Sequence, residues 1–474
     1  MRDNKKVRKN WPLELVPLVF GVVSLSYGIY RYLQELSDAP PDPPDILMFT
    51  LCSVRADHVH AYGYAGETTP NIDKLAASST RYVNAFAAGT FTGSSHGALL
   101  TGLLPASNGL LGAGDKVSPT VPTLPGILHD FGYSTAAFMG ARGPAVFADG
   151  DGLERGFDAV NNVFPTPAAM FDSAAEWWRH AKHPAFAVIH LRNAHAPYAA
   201  PPPYAAPPPT VDPRISAWRN GAFGPGVHDA KSTMRLENAL KDDPKLHAEL
   251  ASLYDQGVEA ADADLGRALA TIDPDMQRTV IVLAADHGEA LGEDGHLGHM
   301  RYNDQAVLHV PLMVHYPDGL GDAEPDVVQT EVSLLDVLPT LLALAHVPPL
   351  GVQHGRSLLG LGTVPRWTAS NANTGARPSF AQMTHSAFGS PSQVTTVVTT
   401  QDWRLSNEGG TPMLQHRVAG PIGGTETERW ESADNPAPLT ALLKSYTEHA
   451  AISATGSQKL SPETLNALRK AGYW

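Results

Sequence analysis

Three apolar runs in this chain, rich in branched side chains, each stop at a cluster of polar residues. Ile46–Leu51 (ILMFTL) runs into Cys52, Ser53, Arg55 and Asp57. Phe186–His195 (FAVIHLRNAH) ends with His190, Asn193 and His195. Thr279–Glu289 (TVIVLAADHGE) ends with Asp286, His287 and Glu289, ahead of His296 and His299. Apolar runs without alternation are the pattern of strands buried on both faces. Helical segments separate them. TLPGILHDFGYSTAAFMG predicts a helix ending near Gly132 and a strand over Tyr133–Met139, and Glu249–Ile272 predicts a long amphipathic helix. VPLMVHYP predicts one more strand. Such alternation implies an α/β fold: a mostly parallel sheet with helices on both faces. Ligands of these sheets sit outside the carboxyl ends of the strands, so the three polar ends are candidate walls of one site.

The N-terminus predicts a membrane anchor. Arg2, Lys5, Lys6, Arg8 and Lys9 precede Leu15–Tyr30 (LVPLVFGVVSLSYGIY), and Trp11–Leu33 is about long enough to span a bilayer. The basic leader predicts a cytoplasmic N-terminus and an extracytoplasmic remainder, in a single-pass protein of the cell membrane. A cleaved signal peptide is the rival reading, but no small-x-small cleavage site precedes the linker. The expected organisation is a leader and anchor over 1–36, a stiff Pro-rich tether over 37–45 (SDAPPDPPD), a catalytic domain over 46–362 and a small α+β subdomain over 363–474. The subdomain reading rests on PSQVTTVVTTQDWRLS and on the helical pattern of APLTALLKSYTEHA. Tyr198–Pro213, rich in proline, is expected to be a surface loop. A net charge of −14 argues against a nucleic-acid partner, which calls for a basic face.

GTFTGSSHGALLTG (Gly89–Gly102) sets hydroxyls at Thr90, Thr92, Ser94 and Ser95, then His96, ahead of a helical run. One reading is an N-cap, with Ser94 or Ser95 satisfying free amides. The other is a nucleophilic hydroxyl at a helix N-terminus, where free N–H groups favour an anionic substrate. Asp286–His287 at a strand end supplies an oxygen and a nitrogen suited to a metal. Alone, each motif reads as a turn or a cap.

Taken in order, the motifs resemble the sulfatase branch of the alkaline phosphatase superfamily. RADHVHAYGYAGETTPNIDKLAASSTRYVNAFA is similar to that family's first block. LLTG, GYSTAAF, ERGFD, HLRNAHAPY, DHGEALGEDGHLGH, VPLMVHYP, LLDVLPTLLALA and GRSLL follow in family order, over about Ile46–Leu359. The resemblance implies an alkaline-phosphatase-like three-layer sandwich. It places the nucleophile ten residues before Gly102, at Thr92. The family's C/S-x-P-S-R motif is replaced by Thr92-Gly93-Ser94-Ser95-His96, so no formylglycine is expected. A direct threonine nucleophile resembles instead the phosphatases and anchored phosphotransferases of the superfamily. The resemblance assigns metal ligation to Asp286 and His287 with Thr92, contact with the anionic ester to His195, and the leaving-group side to His299. His96 joins the catalytic candidates.

The family's acid at the end of the first strand is replaced by Cys52. Three readings of that cysteine stand. As a thiolate it completes a metal set of Cys52, Thr92, Asp286 and His287, favouring zinc, with manganese and calcium as alternatives. It could instead mark a degraded site in a non-catalytic binding or scaffold protein, or be a small buried hydrophobe. The expected activity is a membrane-anchored sulfatase-like hydrolase or transferase. Its substrates would be small-molecule, glycan or lipid-headgroup esters of sulfate or phosphate.

Overall fold

The computed structural model describes residues 42–112, 114–140, 150–201, 203–204, 211–220, 230–299, 305–317, 325–350, 353–359 and 361, together with five strands between 379 and 432. The anchor expected over Trp11–Leu33, most of the expected tether, the expected 362/363 boundary and the helical reading of APLTALLKSYTEHA lie outside the described residues. No helix among the described residues is long and apolar enough to cross a membrane.

Eight strands of the described residues form one sheet. Edge to edge they are Val327–Val328, Thr80–Tyr82, Leu312–His315, Thr279–Ala285, Asp45–Leu51, Ala185–Leu191, Ser134–Met139 and Ala159–Asn161. Every pairing is parallel except those of Leu312–His315, which runs antiparallel to both its neighbours. The three central strands are buried along their whole length, which is why their sequences show no polar alternation. Helices flank the sheet. Pro167–His180 packs on Pro244–Ile272, and Thr92–Thr101 packs with Leu124–Asp130 and Val337–Leu344. The expected α/β sandwich is therefore present.

Element ends differ from expectation for local reasons. The long helix starts at Pro244 rather than Glu249, because Asp243 caps it by accepting from the Leu246 amide (3.1 Å) and Pro244 fills its first turn. Asp45, expected in the tether, opens the first strand; its carboxylate accepts from the Ala185 amide (2.9 Å) and pairs with His183 (2.7 Å). Tyr198, expected on a surface loop, is 1% exposed and packs against Trp218 and Tyr254.

The five C-terminal strands form a consecutive antiparallel sheet. It joins the main body next to the chain leading into Thr92: the Gln382 amide donates to the Ala88 carbonyl (3.0 Å), and the Gln382 side-chain oxygen accepts from the Ala106 amide (2.9 Å).

Asp262, in the middle of the long helix, caps a different helix. Its buried carboxylate accepts from the backbone amides of Asn71 (3.0 Å) and Ile72 (2.7 Å) and from the Asn71 side chain (2.7 Å), at the start of Pro70–Ala76. Asp262→Ala leaves those buried donors without an acceptor and should lower stability by about 2–3 kcal/mol. Urea unfolding checks this, and an unchanged midpoint would contradict it.

Candidate active site

The central strands end in register. Leu51 lies beside Leu191 on one neighbour and Ala285 on the other. The next residues, Cys52, Arg192 and Asp286, therefore leave the sheet at one level. The ladder continues one step further, with the Cys52 amide donating to the Leu191 carbonyl (2.7 Å) and the Asp286 amide to the Leu51 carbonyl (3.2 Å). The runs predicted to extend to His195 and Glu289 stop here, at Leu191 and Ala285, because their neighbour in the sheet has ended. Ser53 turns the chain with a φ of 62°, a conformation that costs a non-glycine residue about 1–3 kcal/mol. Two contacts hold it: its amide donates to Asp286 Oδ1 (3.1 Å), and its carbonyl accepts from the Tyr254 hydroxyl (2.7 Å).

Cys52, His190 and Asp286 each bring a donor atom to within 4.8 Å of the other two, and all three are buried. Asp286 Oδ2 and His190 Nε2 have no hydrogen-bond partner among the described residues. Burial, and then the charge of Asp286, push the Cys52 thiol well above its ordinary range. Burial also opposes ionisation of Asp286. The imidazoles of His287, His190 and His96 and the Ser53 amide outweigh it and hold the carboxyl below the usual range. A buried carboxylate oxygen, an imidazole nitrogen and a thiol, the first two without a hydrogen-bond partner among the described residues, fit a divalent metal; His287 Nε2 and His96 Nδ1 stand 3.6 and 3.8 Å from Asp286 Oδ2.

Thr92 opens the helix Thr92–Thr101 and is partly exposed. Its Oγ1 lies 3.6 Å from Cys52 Sγ and 3.3 Å from His287 Nε2. His287 donates from Nδ1 to the Gly288 carbonyl (2.8 Å), and burial lowers its pKa. Its neutral form therefore turns an Nε2 lone pair to Thr92. The capping reading of the hydroxyl cluster does not hold: the N-cap is Phe91, the Ser94 hydroxyl donates to the Phe91 carbonyl (3.1 Å), and that of Ser95 donates to the Asp286 carbonyl. His96 is 1% exposed. It donates from Nδ1 to the Thr92 carbonyl (2.9 Å), and its Nε2 meets the Thr50 hydroxyl (3.1 Å). It braces Thr92 from within the core.

His195 and His299 complete the cleft. Their rings are 5.1 Å apart, and His299 is 4.2 Å from the His287 ring. Burial, with His299 beside it, pulls His195 down to about 3, and its Nδ1 donates to the Ala196 carbonyl (2.8 Å). His299 donates from Nδ1 to the buried Glu289 carboxylate (2.8 Å). The loop bearing His195 rests on the long helix at Gly257, where a Cβ would lie 2.7 Å from the Asn193 carbonyl oxygen. Asn193 is also tied to Asp264 (2.7 Å). Arg55 braces the other side, bonding the Glu289 carbonyl (3.2 Å) and pairing with Asp57 (2.7 Å) and Glu293 (2.5 Å).

Cys52, Thr92, His96, His195, Asp286, His287 and His299 thus lie together around one site. The sequence reading did not give His190, Thr50 and Glu289 their places. The signal was present: Thr50 sits two residues before Cys52, so both share one strand face, and His190 pairs with Thr50 in register.

The family model described as Sulfatase matches residues 44–347. A curated protein named Sulfatase, from Formosa agariphila, is 21% identical over 396 residues, covering 72% of this chain and 76% of that one. Among solved structures, the phosphonate monoester hydrolase of Agrobacterium radiobacter superposes with a TM-score of 0.62 at 18% identity, covering 89% of this chain and 97% of that one. A 2-O GAG sulfatase gives 0.63 at 16%, covering 90% and 96%. These two likenesses show a shared fold.

Cys52 is 0% exposed and is the sole cysteine. Ellman's reagent should find almost no thiol in the native chain and one thiol once it is unfolded. Rapid full reaction of the native chain would contradict the burial.

Proposed function

The chain belongs to the sulfatase family and is an ester hydrolase of the sulfate or phosphate class; on that premise we propose that Thr92 is its nucleophile and that its N-terminal segment holds it at a membrane. The observation that carries the nucleophile is the position of Thr92 Oγ1: at a helix start, partly exposed, 3.3 Å from an imidazole acceptor and 3.6 Å from the Cys52 sulfur. No cysteine or serine stands at position 92 for conversion to formylglycine, which favours direct attack by the threonine.

A divalent metal held beside Thr92 would acidify its hydroxyl and draw charge from the ester oxygens. The chain's own groups do the rest. The amides at the start of Thr92–Thr101 favour the anionic group. Thr92 Oγ1 forms a bond to phosphorus or sulfur as the bond to the leaving oxygen breaks, and its proton passes to His287 Nε2. His299, protonated on both nitrogens with Nδ1–H held by Glu289, gives its Nε2 proton to the leaving oxygen and is left neutral to take a proton from the attacking water. His195 is neutral in the substrate-free chain, its Nδ1 committed to Ala196. An anionic ester supplies the counter-charge that favours the protonated ring, whose Nε2–H then donates to a non-bridging oxygen. Water attacks the Thr92 ester, releases sulfate or phosphate and restores the hydroxyl; an acceptor alcohol would give transfer instead. Sulfated or phosphorylated glycans, lipid headgroups and small molecules all present such an ester.

The N-terminal reading rests on the basic leader and the apolar span Trp11–Leu33. With the leader cytoplasmic, the hydrolase domain faces the extracytoplasmic side.

Thr92→Ala should reduce hydrolysis of p-nitrophenyl sulfate and bis(p-nitrophenyl) phosphate by at least about 10³-fold, with folding retained by circular dichroism. Unchanged turnover would sink the nucleophile. The full chain should sediment with membranes and resist carbonate extraction; release into the soluble fraction would remove the anchor.

A further inference from the structure

Hydrogen bonding fixes which nitrogen of His190 faces the cleft. The Thr92 carbonyl can only accept, so His96 carries its proton on Nδ1. A neutral imidazole that donates from one nitrogen accepts at the other, so His96 Nε2 accepts from the Thr50 hydroxyl (3.1 Å). Having given its proton to His96, Thr50 Oγ1 accepts from His190 Nδ1 (2.9 Å). What remains on His190 is Nε2, buried and without a hydrogen-bond partner among the described residues. Asp286 Oδ2, which can only accept when ionised, is left in the same state. The donor atoms offered by these two residues and by Cys52 lie within 4.8 Å of one another. His287 Nε2 at 3.6 Å and His96 Nδ1 at 3.8 Å approach Asp286 Oδ2 but lie beyond hydrogen-bond distance, and a buried carboxylate oxygen beside a buried imidazole lone pair is costly unless a cation joins them.

We infer that Cys52, His190 and Asp286 form a thiolate–imidazole–carboxylate site for zinc or a metal of similar softness, with His190 as its nitrogen ligand. This deepens the reading of the cleft as the hydrolase's site, and it does not require Thr92 to be the nucleophile. Three protein ligands with an open fourth position are the arrangement of catalytic rather than structural zinc, and Thr92 Oγ1, 3.6 Å from Cys52 Sγ, stands beside that opening. Only one of the three donors is an oxygen, whereas calcium takes six to eight and magnesium six, so the set discriminates against both. On binding, the Cys52 sulfur–metal bond forms as the thiol proton leaves to solvent. His287 stands outside this set, its Nε2 3.3 Å from Thr92 Oγ1 and 3.6 Å from Asp286 Oδ2. Thr50 and His96 are positioning residues, because they set the His190 tautomer without touching the metal.

The test uses the full-length chain in detergent, stripped of metal and then given zinc or cobalt(II) alone. It should hold one zinc per chain against excess calcium or magnesium, and the cobalt form should show a thiolate-to-metal charge-transfer absorption. Cys52→Ser should abolish that absorption. His190→Ala should weaken zinc binding by more than about 100-fold, and Thr50→Val, acting through the tautomer alone, by about 10-fold. Cys52→Asp should shift preference towards calcium, and this variant and Thr50→Val carry the test if His190→Ala does not fold. A cobalt form without the thiolate absorption would overturn the inference. So would zinc affinity that survives His190→Ala but is lost in His287→Ala. A chain that binds zinc as described yet hydrolyses no ester upholds this inference and sinks the proposed function; hydrolysis without thiolate-bound metal does the reverse.

Discussion

The site depends on the in-register pairing of three parallel strands. Leu51, Leu191 and Ala285 are lateral neighbours, so the residues that follow emerge together on one rim. A slip of one residue in either pairing would turn the side chains of that strand to the opposite face. His190 would then leave Thr50, or Asp286 would leave Cys52. Register is held by full burial on both faces, where a slipped strand would lose its packing. The acceptor pairing of Asp45 with the Ala185 amide and His183 pins the opposite end.

On that rim the chain accepts two costs that a purely structural site would avoid. Ser53 is held at positive φ, and Asp286 and His190 bury atoms without hydrogen-bond partners among the described residues. Both costs serve the same geometry. The turn at Ser53 brings its amide to Asp286 Oδ1, which leaves Oδ2 without a hydrogen-bond partner among the described residues; a carboxylate oxygen of Asp286 lies within 4.8 Å of the thiol sulfur. The helix Thr92–Thr101 then delivers a hydroxyl to the edge of the cluster, braced by His96 inside and by His287 outside. The loop with His195 closes over the cleft because Gly257 lets it lie directly on the long helix.

Much of this was legible in the sequence. Unbroken apolar runs gave the central strands, since burial on both faces leaves no alternation. Their polar ends gave the site, because a buried parallel sheet exposes catalytic groups only at its ends. Four parts were less legible. The long helix begins earlier than its amphipathic pattern, because Asp243 and Pro244 start it by capping rather than by periodicity. Tyr198 is buried although it sits in a Pro-rich stretch, because Trp218 and Tyr254 come from distant segments to cover it. His190 looked like one polar group among several; its pairing with Thr50, 140 residues away, is set by sheet register alone. Ser94 and Ser95 looked like caps, yet their hydroxyls donate to carbonyls.

The most direct measurement is anomalous diffraction at the zinc absorption edge, from crystals of the full chain loaded with zinc. The account predicts one strong peak bonded to Cys52 Sγ, His190 Nε2 and an Asp286 oxygen, with Thr92 Oγ1 at its open side. A peak held by Asp286 and His287, with Cys52 and His190 unbonded, would contradict it.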